Sequence, residues 1–309
     1  MAKYILQRII YMFITLFIIA TVSFFLMKLL PGSPFAMEGK LSEEQLELMK
    51  ARYGLDQPIP VQYFNYITNV AQGDLGVSFQ FDNREVTTLI LKKLGPSLQL
   101  GALALGFGMV IGMLLGIAAA IKHNTFVDYG STFLAVIGKS IPSFVFAGML
   151  QYYIAVKLGW LPAAFWEGPR YMILPTIALA MFPIATAARF MRTEMLEVLG
   201  SDFITTARAK GLNSILVTFK HGLRNAVIPL ITVVGPLAVA LMTGNLVIEN
   251  IFAIPGLGEQ FVKSITTNDY PMIMGTTLFF SFLFIFIVLV VDILYGIIDP
   301  RIRLAGGKD

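Results

Sequence analysis

The chain is built from long apolar blocks separated by polar segments. Near-continuous apolar runs occupy about residues 9–30, 96–121, 131–156, 171–190, 226–248 and 272–298. Each reaches or exceeds the roughly 20 residues that carry a helix across about 30 Å of hydrocarbon. The blocks do not alternate residue by residue, as the strands of a β-barrel would. Lipid offers no partner to an open sheet edge, so helices are the predicted form. The pattern predicts an all-α membrane protein with six transmembrane helices. Lys3 and Arg8 precede the first block, which is too long for a signal peptide. No small-x-small cleavage site follows Pro31-Gly32, so the block is expected to be a retained span.

The polar stretches divide the chain further. Residues 1–31 are expected to form the N-terminal span and 32–95 a loop. A five-helix core at 96–300 carries a second loop at 189–225, and 301–309 form a tail. In the first loop, LSEEQLELMKARYG predicts a short surface helix opened by Ser42, with Glu43, Glu44 and Glu47 near its positive end. PIPVQYFNYI predicts a second, amphipathic helix, and GDLGVSF a turn. The block at 96–121 carries small residues every fourth position: Ala104, Gly108, Gly112, Gly116 and Ala120. That spacing lines one helix face and invites close approach by a neighbour. Pro142, Pro175, Pro183 and Gly235-Pro236 fall within blocks and predict kinks.

Charge adds an orientation. With the N-terminus inside, the inner segments hold 13 of the 23 basic residues and seven of the 19 acids. The outer segments hold ten and twelve. Excess Lys and Arg mark the cytoplasmic side, so both termini are expected to be cytoplasmic. At 56% hydrophobic and 14% charged residues, the composition lies far from the soluble average of about 25% charged. The absence of cysteine excludes disulfides, thiolate metal sites and cysteine nucleophiles. His123 and His221 are far apart and read as surface or packing residues. Neither paired intramembrane aspartates nor a histidine–glutamate metal motif is present, so the sequence holds no catalytic and no metal site. A net charge of +4 reflects the inner-side bias, not nucleic-acid binding. Asp292, the one acid deep in an apolar run, reads as a structural pair or helix cap. Lys28 and Lys139 read as cations snorkelling from span ends.

The loop between the fourth and fifth blocks carries most information. From Arg189 to Ile231 it holds six Lys or Arg against three acids, helical stretches, and a break at Gly211. It suits either a basic surface on anionic headgroups or a docking surface for a cytoplasmic partner. No Gly-rich phosphate-cradling pattern is present. Polar side chains on otherwise apolar spans, Ser140, Ser143, Gln151, Thr243 and Asn245, are candidates for a translocation path, or else for helix–helix hydrogen bonds. Transporter, channel and structural membrane adaptor all remain open on these grounds.

Several motifs carry a resemblance. DFITTARAKGL followed by HGLRNAVIPLI resembles the cytoplasmic coupling loop of ABC-importer permeases, in the form found in the dipeptide/oligopeptide/nickel branch. PGSP at 31–34, YGLDQPIPVQY at 53–63 and GDLGVSF at 73–79 are similar to that family's first outer loop. IENIFAIPGLG at 248–258 and NDYPMIMG at 268–275 are similar to its last outer loop, and VDILYGIIDPRIRL to its C-terminal signature. The long first loop resembles the B-type, first-named permease of the pair. The resemblance implies a type I importer permease fold in the bacterial plasma (inner) membrane. It implies a coupling helix over about Asp202 to Leu212 seated in a cleft of an ATPase subunit. In that helix Asp202, Thr205, Thr206, Ala207, Arg208, Ala209, Lys210, Gly211 and Leu212 would form the ATPase-coupling site. Ala207 and Ala209 would pack on the partner, and Arg208 and Lys210 would make charged contacts. Thr205-Thr206-Ala207 stand where other permeases have Glu-Ala-Ala. The implied partners are a second, unlike permease, two ABC ATPase subunits and an extracytoplasmic peptide-binding protein, within membrane lipid. ATP and Mg2+ would be bound by the ATPases, and this chain would bind no cofactor. Oligopeptides lead as substrate, ahead of dipeptides, nickel chelates and other small solutes.

Overall fold

The computed structural model describes residues 2–31, 42–81, 84–242 and 244–298, which are helical apart from turns and one isolated bridge, Val77–Glu85. The helices are α1 (Ala2–Leu29), α2 (Glu43–Arg52), α3 (Ile59–Ala71), α4 (Val86–Ile121), α5 (Phe126–Ser140) and α6 (Ser143–Leu150). They continue as α7 (Pro169–Leu199), α8 (Asp202–Ala209), α9 (Ser214–Leu216), α10 (Arg224–Met242), α11 (Leu246–Ile251), α12 (Leu257–Thr266) and α13 (Tyr270–Ile298). Two π-helical segments, Gln151–Lys157 and Val217–Leu223, follow α6 and α9 directly.

Four stretches are long and apolar enough to cross a membrane as single helices: Leu6–Leu29, Val86–Ile121, Pro169–Leu199 and Tyr270–Val291. Two further pairs are bent, Phe126–Ser140 with Ser143–Lys157 by 103° and Ser214–Leu230 with Val233–Met242 by 53°. The block at 131–156, expected as one kinked span, is therefore two helices at a right angle. Pro142 is the cause. It offers no N–H to continue the helix, and it pushes the preceding Ile141 into extended backbone at φ −82°, ψ 122°. A single proline within α7 bends nothing so sharply, because Pro175 and Pro183 sit inside continuous helix. The helix expected over 171–190 also runs on to Leu199.

The chain forms two compact units, one of residues 1–95 with 256–285 and one of 96–255 with 286–309. In the first, Phe24 and Ala20 are the buried positions of α1, which is otherwise largely exposed. The C-terminal turns of α1 pack on α3 through stacked Phe24–Tyr66 and Phe25–Tyr63 rings and a Thr21–Tyr63 hydroxyl contact of 2.8 Å. Ser42 caps α2 in a reciprocal capping box with Gln45, as its sequence position predicts. The turn at Asp74–Phe79 is tied to residues before α13. Asp269 is buried and accepts from the Ser78 hydroxyl and from the Phe79 N–H at 3.1 Å. The Gln80 amide donates to the Thr267 carbonyl at 3.0 Å.

In the second unit α7 is the central element. Its buried face includes Ala178, Pro183, Ala187, Ala188, Met191 and Met195. The small-residue stripe of α4 lies against it. A Cβ on Gly112 would stand 2.6 Å from both the Ala187 Cβ and the Ile184 carbonyl, and Gly108 meets Pro183 as closely. No side chain larger than hydrogen fits there without parting the helices. Helix α5 covers another side of α7 through Ala135, Ala185 and Ala188.

Candidate functional site

The basic loop folds as a short helix on a short stalk. Helix α7 ends at Leu199, and only Gly200 and Ser201 separate it from α8. Ser201 takes extended backbone, and its hydroxyl turns back to the Val198 carbonyl at 2.6 Å. The far end of α8 closes by a Schellman motif. The Gly211 N–H donates to the Arg208 carbonyl at 2.9 Å and the Leu212 N–H to the Ala207 carbonyl at 3.4 Å. Gly211 has φ +77°, the left-handed conformation that this motif demands and that a Cβ disfavours. Beyond it, Asn213 caps α9, its side-chain oxygen accepting from the Ile215 N–H at 2.8 Å.

Helix α8 is anchored from beneath by two side chains. Ile204 and Ala207 are buried against Val217 and Val198 of their own chain. Ala207, expected at the surface, is only 7% exposed, because the helix needs an apolar underside to stay on its stalk. Asp202, Thr205, Thr206, Arg208, Ala209, Lys210, Gly211 and Leu212 are all exposed. The two threonine hydroxyls bond backward to the Ser201 and Asp202 carbonyls, which removes them from competition for a partner.

Alongside the exposed polar row lies an apolar one that the sequence did not signal. Phe203, Ile215, Leu216 and Phe219 are all exposed, Ile215 by 69%. A shallow hollow is lined by Asn213, Ile215, Leu216, Phe219 and Lys220. Cations rim this surface, and Asp202 is the one acid between Gly200 and Arg224. An apolar centre with a charged rim is the composition of a protein-docking face.

The stalk is braced by a buried ion pair that no local spacing announces. Asp128, in the first turn of α5, is 1% exposed. Arg192, on the lower part of α7, grips it with both edges, Nε to Oδ1 at 2.5 Å and Nη2 to Oδ2 at 2.9 Å. The same carboxylate accepts from the Asn124 N–H at 3.0 Å and lies 2.9 Å from His123 Nδ1. Fully hydrogen-bonded, a buried carboxylate of this kind holds two helices in one register. His123, read as a surface or packing residue, is therefore part of this cluster.

The path candidates separate. Ser140 and Ser143 flank the Pro142 break, Ser140 exposed and Ser143 half-buried. Gln151 instead ties backbone together, its amide donating to the Ala163 and Ile251 carbonyls at 2.8 and 3.0 Å. Asn245 caps α11, its side chain accepting from the Ile248 N–H at 3.0 Å. Buried Glu249 joins that cap to α4, accepting from the Asn245 N–H at 3.2 Å and from the Ser97 hydroxyl at 2.7 Å. Thr243 and the tail 301–309 lie outside the described residues, as does the side chain of Asp292.

Comparison with known proteins adds a family. Residues 112–304 match the family described as binding-protein-dependent transport system inner membrane component, and residues 1–100 match its N-terminal counterpart. The chain is 46% identical over 304 residues to the dipeptide transport system permease protein DppB of Lactococcus lactis subsp. cremoris, covering 98% of this chain and 100% of that one. It is 43% identical over 305 residues to the oligopeptide transport system permease protein OppB of Haemophilus influenzae, with coverage of 98% and 100%. Among solved structures, the MetNI methionine ABC transporter in an inward-facing conformation aligns with a TM-score of 0.55 at 16% identity, covering 69% of this chain and 97% of that one. An amino acid ABC transporter aligns with a TM-score of 0.53 at 15% identity, covering 68% and 94%. At such identities the structural likeness speaks for the fold alone.

Proposed function

This chain belongs to the family of binding-protein-dependent transport system inner membrane components, and from that premise we propose that it is one permease subunit of an ATP-driven peptide importer. Its fold is that of a type I ABC-importer permease, and it is a multi-pass inner-membrane protein. Peptide is the substrate class because relatives named for dipeptide and for oligopeptide transport match nearly end to end, at 46% and 43% identity. Peptide length is then set by the extracytoplasmic binding protein that delivers the substrate.

In this reading the chain crosses the membrane six times with both termini cytoplasmic, each bent pair of helices counting as one crossing. The 200–223 segment faces the cytoplasm and docks on one of two ATPase subunits, which hold the ATP and Mg2+. A second, unlike permease completes the path. Closure of the ATPases displaces α8. The two-residue link hands that displacement to α7, and the Asp128–Arg192 pair carries it to α5. The outcome is a rigid-body exchange between inward- and outward-facing states. Among the described residues Ser140 and Ser143, at the right-angle break, are the path candidates, with Gln151 and Asn245 serving the scaffold; Thr243 stays a candidate from sequence.

The observation that carries the proposal is α8 itself, anchored beneath by Ile204 and Ala207 and presenting an apolar row with basic neighbours to the outside. The test is peptide-stimulated ATP hydrolysis by the assembled transporter in lipid vesicles. Phe203→Asp with Arg208→Glu changes two exposed side chains. It is expected to abolish stimulation while the permease stays folded in the membrane. Absence of any co-purifying ATPase, together with no response to peptide, overturns the proposal.

A further inference from the structure

The unit formed by residues 1–95 and 256–285 holds a cavity apart from the residues that the proposed function uses. It measures about 310 Å³, and its walls carry Phe24 of α1, Tyr53 after α2, Tyr66 of α3 and Tyr270 at the start of α13. Two cations line it, Lys28 in the last turn of α1 and Arg52 in the last turn of α2. The one carboxylate in its wall, Asp74, already accepts the Gly76 N–H at 2.8 Å.

The groups in the wall are positioned for a ligand. The Lys28 ammonium donates to the Gln62 side-chain oxygen and sits 5.4 Å from the centre of the Phe24 ring. That fixes the cation at the cavity edge and leaves two of its three donors free of Gln62. The Arg52 side chain is exposed and makes no hydrogen bond or ion pair among the described residues. The Tyr66 hydroxyl is buried with no hydrogen-bond partner. Such an orphan is uncommon in folded proteins and asks for an explanation. Burial, reinforced by neighbouring Tyr63, pushes the Tyr66 phenol up from its ordinary pKa, so it stays protonated and can donate.

The depth of the site identifies the ligand class. Leu6–Leu29 has the length and hydropathy of a span, and Lys28 stands at its end. The cavity therefore sits where the hydrocarbon gives way to headgroups. Next to Lys28, α1 exposes Val22, Phe25, Leu26 and Leu29, an apolar strip running down the span. Helix α3 exposes Ile59, Val61 and Phe64, as a helix lying in the interface does. A ligand here meets cations above and apolar surface below.

We propose that this cavity binds the headgroup of an anionic phospholipid, with Lys28, Arg52 and the Tyr66 hydroxyl on the phosphodiester and the acyl chains along the exposed strip of α1. Two cations against one acid, itself accepting the Gly76 N–H, favour an anionic lipid over a zwitterionic one. The volume is near the lower bound of ligand pockets, about 300 Å³, which suits a headgroup and not an extended peptide. Arg supplies the planar fork that matches a phosphate, and Lys the point charge. The site rests on α1 as a membrane span and is independent of what the protein transports.

The experiment uses the full chain extracted from bilayers of phosphatidylglycerol and phosphatidylethanolamine and read by native mass spectrometry during stepwise delipidation. The wild type is expected to retain one phosphatidylglycerol after bulk lipid is gone. Lys28→Gln with Arg52→Gln should cut retention by about tenfold, the equivalent of about 1.4 kcal/mol. Arg52→Gln alone, at an exposed side chain, should cut it by about threefold, and Tyr66→Phe by about twofold with the ring packing kept. Unchanged retention in Arg52→Gln and Tyr66→Phe overturns the proposal. Displacement of the lipid by inorganic phosphate at equal concentration assigns the site to the free anion and overturns the lipid source. A tripeptide that replaces the lipid, and is lost in Arg52→Gln, makes it a peptide site and overturns it too. Loss of peptide-stimulated ATPase activity alone leaves lipid retention unaffected, so the two proposals fail separately.

Discussion

Two segments outside the long helices, 200–223 and 42–81, are held in opposite ways. The first is held by helix caps and a small apolar underside. A Schellman closure at Gly211, an Asn213 cap and a pair of buried side chains, Ile204 and Ala207, account for its fixed shape. The second is held by polar side chains and rings. Asp269 receives Ser78 and Phe79, Gln80 reaches the Thr267 carbonyl, and Tyr63 and Tyr66 stack on α1. The lesson is one of surface economy. The first keeps its larger apolar side chains, Phe203, Ile215 and Phe219, outward for a partner. The second commits Ser78, Gln80, Tyr63 and Tyr66 to neighbouring parts of its own unit.

The largest effect should come from the brace beneath the first segment. Arg192→Ala leaves the buried Asp128 carboxylate with only His123 and the Asn124 N–H beside it. It should cost about 3 kcal/mol, the low end of the buried-pair range because the Arg192 side chain is partly exposed, read from the unfolding midpoint in detergent. If hydrogen exchange in 200–223 stays unchanged, the segment stands without α7 and the contrast deepens. If it rises, the segment borrows its order from the helix that carries it.

A smaller effect should come from the knot in the second segment. Asp269→Ala removes the acceptor of the Ser78 hydroxyl and the Phe79 and Met272 N–H groups and should cost about 2–3 kcal/mol. Limited proteolysis should then nick 42–81 and spare 200–223. The pH dependence sharpens the same point. Burial, the larger influence, pushes the Asp269 carboxyl above its ordinary value against the pull of those donors. The folded state thus holds the proton more tightly than the unfolded one. Its stability is expected to fall as pH climbs from the ordinary carboxylate pKa to the raised one, and to stay level above it. A denaturant titration across that window should show the slope, and Asp269→Asn should flatten it.

The smallest effect tests the backbone closure. Nothing lies within 4 Å of a Cβ placed on Gly211, so Gly211→Ala introduces only the cost of the left-handed conformation, about 1 kcal/mol. Faster exchange of the Leu212 amide would report it. No change there would mean that Ile204 and Ala207 hold α8 without help from the Schellman bonds.

What could be read from the sequence follows physical range. The α4 stripe was legible because a four-residue period is a local signal, and the structure sets Gly108 and Gly112 against Pro183 and Ala187. The Ser42 cap was legible for the same reason. The Pro142 break was half legible: the proline was visible, yet a kink within one span was expected where Ile141 turns the chain by a right angle. Asp128 and Arg192 were not legible as a pair, since no spacing rule joins residues on two different helices. Gln151 and Asn245 could not be assigned to one role for a related reason. A polar side chain in an apolar run looks alike whether it faces a path or satisfies a neighbouring carbonyl or N–H. Nor did the sequence show that 256–285 joins the N-terminal third in one compact unit, because that grouping depends on contacts such as Ser78 with Asp269 across most of the chain.

The placement of Arg192 along α7 has a mechanical consequence. At 1.5 Å per residue, about 10 Å of helix lies between Arg192 and Leu199, and about 35 Å lies between Arg192 and Pro169. Because α4 and α5 pack along that longer arm, a push at Leu199 is expected to move α7 together with α5 as one rod, less whatever flexure Pro175 and Pro183 absorb.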